Sequence, residues 1–158
     1  MKRPPVKIDP IPFTQDGFDK LLREQKELQE ERPDVLEHLK KARAMGDLKE
    51  NGYYSATKQK LNYIDGRLRR IAFLLKYGVI VTSENSGVVD IGATVKLNDG
   101  TQDVTYTIVG KEESNPSEGS ISYKSPLGKM LLGKKKGDKV TVSVPKGDFT
   151  YSIKEITI

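Results

Sequence analysis

Two series of apolar side chains at seven-residue spacing, one on each side of a short glycine-bounded tip, constrain this chain more than any other feature. Leu21, Leu28, Val35 and Ala42 recur one heptad apart, with Phe18 and Leu39 on the companion position. That interval keeps one stripe of a helix turned toward a partner helix. Thr14 is a candidate N-cap with Asp16 in the first turn. Gln25 and Arg32 interrupt the companion stripe, and Pro33 predicts a kink rather than a stop. After the tip, Tyr54, Leu61, Leu68 and Leu75 repeat at the same interval, with Thr57, Ile64 and Ile71 on the neighbouring position. Two such helices joined by a tight turn make an antiparallel hairpin. Roughly 30 residues at about 1.5 Å each give an arm on the order of 45 Å long, with its tip held far from everything else.

From Val88 the apolar period changes from heptad to alternating. "ATVKLNDG", "VTYTIVG", "SISYK", "KVTVSVP" and "FTYSIKEI" read as strands, and Asn98-Asp99-Gly100 as a hairpin turn. Between the third and fourth strands, Ser125 caps, Pro126 opens and Gly133 closes a short helix that carries Met130, Leu131 and Leu132. The expected class is α+β: an N-terminal antiparallel coiled-coil hairpin, then a small antiparallel β-sheet domain with one short helix. The boundaries fall at a basic, Pro-rich segment 1–13, a hairpin 14–80 and a sheet domain 81–158.

Composition removes most catalytic classes. The chain of 158 residues has no cysteine and one histidine, His38, so thiolate or His-based zinc sites and His-dependent triads are excluded. His38 reads as a surface residue rather than a ligand. Lys and Arg number 27 against 22 Asp and Glu, a net charge of +5, which favours nucleic acid or a complex that holds it. The opening "MKRPPVKIDPIPF" lacks an apolar core and no long apolar run follows, so a soluble, cytoplasmic chain with no membrane contact is expected. "GKMLLGKK", Gly128–Lys135, only mimics a phosphate-binding loop: Lys135 stands where a hydroxyl should be, and the glycine loop is replaced by helix.

The tip, "GDLKENGYYSA", carries the chemistry. Asp47 and Glu50 are three residues apart, which puts both carboxylates on one face of a helical first turn if the second helix begins near Asp47. Two readings follow. One is a capping box. The other is half of a Mg²⁺ site, because one or two exposed carboxylates hold that ion loosely and another macromolecule would have to supply the rest. The second helix is basic, with Lys58, Lys60, Arg67, Arg69, Arg70 and Lys76 against Asp65. These cations are either a solvated, cross-paired face or an attraction for phosphates.

"GDLKEN" followed by Tyr54, "IPFTQDGFDKLLREQKEL" at the start of the arm, and "SYKSPLGKMLLGKKKGDKVTVSVPKGDFTYSIKEI" in the second domain resemble the bacterial Gre transcript cleavage factors. The resemblance runs from about Ile11 to the last residue, with three motifs in order. It implies a hairpin that enters the secondary channel of RNA polymerase and an FKBP-like domain that docks on the channel rim through Ser125 and Pro126. The implied factor is not itself an enzyme. It acts in trans on backtracked complexes, raising the polymerase's own cleavage of nascent RNA and rescuing arrest. Asp47 and Glu50 would be the catalytic acids, sharing a Mg²⁺ with the polymerase that the chain alone does not bind. Asn51 and Tyr54 would support the tip, and Lys58, Lys60 and Arg67 would lie along the RNA 3′ end or the channel wall. The chain is expected as a monomer. Two positions depart from the family pattern: Gly52 replaces a usual alanine, and Tyr53 a common glutamate, offering bulk, a hydroxyl and a stacking face for an extruded base. The rival within this resemblance is a channel-occluding inhibitor. A proline isomerase or chaperone reading of the FKBP-like domain is weakened by the absence of Trp and the few aromatics there.

Overall fold

The computed structural model describes residues 9–46, 52–84 and 86–158. Their contacts divide into two units, one built on Phe18–Tyr77 and the other on Asp9–Gly17 with Gly78–Ile158.

The first unit is the helical hairpin. Helix α1, Gln15–Ala44, is capped as the sequence suggests: the Thr14 hydroxyl accepts from the Gly17 amide at 3.1 Å. It continues as helix through Pro33. Past its end, Gly46 takes a φ of 84°, the left-handed conformation that suits glycine after a helix. Helix α2 covers Gly52–Tyr77. Leu21, Leu28, Val35, Leu39 and Ala42 of α1 are buried, as are Thr57, Ile64, Ile71 and Leu74 of α2. The series Tyr54, Leu61, Leu68 and Leu75 is only half-buried, so the centre of the seam on α2 is the neighbouring line through Thr57, Ile64 and Ile71.

The second unit is the sheet domain. Ile11–Phe13 forms β1 and pairs in parallel with β2, Gly78–Ile80. The main sheet has five strands: β3 Thr94–Asn98, β4 Asp103–Val109, β5 Ser120–Ser122, β6 Lys139–Val144 and β7 Gly147–Thr157, in the order β5-β4-β3-β7-β6. All pairs are antiparallel except β4 with β5. The sheet is antiparallel as expected apart from that one short parallel pair. After Val109 the chain passes through two short 3-10 turns, Lys111–Glu113 and Pro116–Glu118, and returns to its starting level, so β5 runs with β4 instead of against it. The β3–β4 hairpin turns at Asn98–Gly100 as expected: Asp99 Oδ1 accepts from the Thr101 and Gln102 amides, each at 2.8 Å, and Gly100 adopts a φ of 97°.

Helix α3, Pro126–Leu131, closes the core, placing Leu131 among Val89, Val95, Leu97, Ile108, Val140 and Ile153. A β-carbon on Gly128 would overlap the Ser122 carbonyl oxygen, so glycine lets α3 lie directly on the end of β5.

The seam makes a direct prediction. Ile71→Ala should cost about 2–5 kcal/mol in the hairpin's unfolding free energy, measured by urea denaturation of the full chain. Leu75→Ala should cost roughly half as much, since its side chain leaves water only in part.

Candidate functional site

Asp47, Glu50 and Asn51 lie outside the described residues, so the local geometry of the site begins with the helix ends on either side of them. Tyr54 sits half-buried in the first turn of α2, with the Arg43 guanidinium from α1 and the Lys58 ammonium each 5.9 Å from its ring centre. At that distance each cation gains from the ring's negative face, by about 0.5–1 kcal/mol where exposed. Tyr54 thus gathers two positive charges from opposite helices just behind the acidic segment. Arg43 was not singled out by the sequence; only the antiparallel pairing of the helices brings it to Tyr54.

The cations farther along α2 are engaged across the hairpin. Arg67 makes a two-pronged contact with Glu24, Nε to Oε1 and Nη2 to Oε2, both at 2.6 Å. Lys60 Nζ lies 2.5 Å from Glu31 Oε1. Arg32, which interrupts the apolar stripe of α1, donates to Asp65 at 2.6 Å. That hydrogen bond and the guanidinium charge hold the Asp65 carboxyl below its usual range. These geometries match the cross-paired alternative for Lys60 and Arg67.

His38 and Tyr53 also meet across the hairpin, in line with the Glu24–Arg67 and Glu31–Lys60 pairs, with imidazole Nδ1 and the phenol oxygen 2.6 Å apart. Residues 24, 31 and 38 climb α1 in steps of seven while their partners 67, 60 and 53 descend α2 in steps of seven. The three pairs are rungs of one ladder. The Tyr53 hydroxyl is therefore turned to α1, while the residue stays exposed. Val35, His38, Tyr53, Ala56, Thr57 and Lys60 surround an open groove of about 310 Å³ beside this rung.

In the sheet domain, Ser125 Oγ accepts from the Gly128 amide at 3.0 Å and caps α3, while Pro126 is exposed at its first position. Gly128–Leu131 is helical, so the apparent phosphate loop is a short helix followed by a turn at Gly133, φ 74°. Among the described residues no group of three or more His, Cys, Asp or Glu is placed to hold a metal ion, and no helix is long and apolar enough to cross a membrane.

A helical hairpin followed by a sheet domain that carries a capped Ser-Pro helix defines a two-unit α+β protein. Residues 11–80 match the family model "Transcription elongation factor, N-terminal", and residues 84–158 match "Transcription elongation factor, GreA/GreB, C-term". The chain belongs to the GreA/GreB family of transcription elongation factors. Transcription elongation factor GreA of a Nitratiruptor species is 42% identical over 149 residues, covering 92% of this chain and 91% of that protein. Its counterpart in Macrococcus caseolyticus is 43% identical, covering 87% and 89%. Among solved structures, the GreA factor homolog 1 (Gfh1) protein of Thermus thermophilus is 26% identical, covers 94% of this chain and 99% of that one, and has a TM-score of 0.43.

The ladder predicts a charge-swap result. Arg67→Glu alone should destabilise the hairpin by about 0.5–1 kcal/mol, the range for partly exposed pairs. Adding Glu24→Arg should recover most of the loss in thermal unfolding. Failure of the swap to recover stability would show that the pair does not hold the register.

Proposed function

We propose that this chain binds RNA polymerase, inserts its hairpin into the secondary channel and stimulates Mg²⁺-dependent cleavage of backtracked nascent RNA. The observation that carries the reading is the pairing of two carboxylates, Asp47 and Glu50, with a hairpin whose helices are locked in register up to the residues flanking them. Hard carboxylate oxygens suit Mg²⁺, and two of them make a partial coordination set that the polymerase's own acids would complete. Asp47 and Glu50 would hold the shared ion. A second metal in such a site supplies stabilisation of the attacking and leaving oxygens of the displaced phosphodiester.

The remaining roles belong to this chain's own groups. The apolar seam and the cross-hairpin rungs keep the arm stiff, so the two helices need little ordering on binding. Arg43 and Lys58, collected around Tyr54, present positive charge to RNA phosphates behind the acids. Ser125 and Pro126 contact the channel rim. On this reading the chain has no activity alone, because half of the catalytic set resides in the polymerase.

The test is a stalled elongation complex carrying 3′-labelled, backtracked RNA. Addition of the chain with Mg²⁺ should shorten the RNA and restart elongation. Asp47→Ala combined with Glu50→Ala should lower cleavage by at least about tenfold, the lower bound for losing even an outer-sphere metal partner, with polymerase affinity within a fewfold. Suppressed nucleotide addition with no cleavage product would overturn the reading in favour of a channel inhibitor.

Docking has its own measurement. A folded Ser125→Ala, Pro126→Ala variant should compete for polymerase about tenfold less well than wild type, as expected for loss of a buried contact at an interface centre. Equal competition would remove this segment from the interface.

A further inference from the structure

Helix α3 turns one side to the core and the other to solvent. Gly128 and Leu131 are buried, whereas Pro126, Lys129 and Met130 are exposed, Met130 at 42%. Positions i, i+3 and i+4 of a helix lie on one side, so these three side chains form a single outward stripe next to Ser125. The stripe is held in place from behind: Gly128 seats the helix against the Ser122 carbonyl oxygen, and Leu131 is fixed in the core.

Lysines border the stripe. Lys124 precedes the helix, its ammonium 5.5 Å from the Tyr123 ring centre, and Lys134, Lys135 and Lys136 follow it. The chain after the helix is fastened too, since the Lys134 carbonyl accepts from the Val89 amide at 2.8 Å and the Lys135 amide donates to Asp138 Oδ2 at 2.8 Å. No acid occurs between Lys124 and Lys136. The first one beyond, Asp138, accepts from the backbone of its own loop. Among the described residues, none of the ion pairs includes Lys129 or the lysines on either side of it. Pro126 and Met130 thus make an apolar spot edged by positive charge that has no ion pair within this chain.

We propose that this stripe is the centre of the docking surface, and that its partner is a protein segment that sets an apolar side chain on Pro126 and Met130 and carboxylates beside the lysines. The proposal deepens the reading of Ser125 and Pro126 as polymerase contacts and rests on it. The mixed chemistry selects protein over nucleic acid: a phosphate backbone would pair with the lysines and leave Pro126 and Met130 against charged groups. An apolar patch edged by carboxylates satisfies both parts. Covering the adaptable methionine side chain removes apolar surface from water, and the surrounding charges steer the encounter. Lys129 serves in both ways, its four-carbon stem adding apolar area and its ammonium meeting the acids. Because the helix is already seated on β5 and the core, little ordering is needed on binding.

The experiment measures competition and association rates of the full-length chain with bacterial core RNA polymerase, with matched thermal unfolding as the control for these exposed substitutions. Met130→Ala should weaken binding about tenfold through faster dissociation, and Met130→Leu should keep wild-type affinity, because apolar area rather than sulfur is required. Lys124→Glu combined with Lys129→Glu should slow association about tenfold at low salt, with a smaller difference at physiological ionic strength. Unchanged affinity in Met130→Ala would overturn the apolar centre, and unchanged association in the double lysine variant would overturn the acidic partner. Wild-type binding to a random-sequence DNA duplex that is lost in the double lysine variant, with polymerase affinity unaltered, would overturn the proposal in favour of nucleic acid. If Ser125→Ala, Pro126→Ala weakens competition while neither Met130→Ala nor the lysine variant does, the Ser-Pro contact stands and the wider surface falls. A wild-type chain that does not compete for polymerase at all would overturn the functional reading and this proposal with it.

Discussion

Because α1 and α2 run in opposite directions, a heptad counted up one helix meets a heptad counted down the other, and the pairs at 24 and 67, 31 and 60, and 38 and 53 all obey that relation. The apolar seam supplies most of the hairpin's free energy, but apolar contacts are non-directional and tolerate slippage. Ion pairs and hydrogen bonds between long side chains do not. A shift of one residue on either helix would rotate the partner by about 100° and break all three contacts at once. Seam and rungs together therefore fix one register, and the contacts described near the tip agree with it: Arg43 and Lys58 at Tyr54, and His38 at Tyr53.

The same division of labour recurs in the sheet domain. Its core of Val, Ile and Leu side chains provides cohesion, while a few close approaches determine where the chain must pass. The Glu113 carboxylate accepts from the Thr14 amide at 2.9 Å, from the Gly110 amide at 3.1 Å, and from the Thr14 hydroxyl. Gly110 and Gly17 leave room for it; a β-carbon on the first would overlap the Pro12 carbonyl oxygen and on the second the carboxylate itself. Three hydrogen bonds to one carboxylate anchor the turn after β4, and that turn directs β5 into its parallel pairing. Gly128 then seats α3 on β5, with Pro126 exposed beside the Ser125 cap.

Much of this was legible in the residues. The change of apolar period from seven to two separates hairpin from sheet domain, Thr14 and Ser125 cap the helices predicted for them, and Asn98-Asp99-Gly100 turns where its chemistry demands. The parallel placement of β5 was not legible, because alternation predicts that a segment is a strand and says nothing about which neighbour it joins or in which direction. The ranking of the two α2 stripes was also hidden. Both repeat at seven residues, and only the rotation of the helix against α1 decides that Ile64 and Ile71 are covered while Leu68 and Leu75 stay half in water.

By itself the sequence determined an α+β chain with a heptad hairpin, an acidic pair three residues apart between its helices, and a capped Ser-Pro helix in a small sheet domain. These features depend on neighbours within a turn or a strand, which local propensity and periodicity record. Tertiary structure alone showed which acids stand opposite which cations. The sequence leaves Lys60 and Arg67 open between cross-helix pairing and phosphate contact, and only the structure shows Glu31 and Glu24 opposite them and His38 beside the Tyr53 hydroxyl. Such pairings join residues distant in the chain, and they exist only once packing of the seam has brought the two helices to one distance and one register.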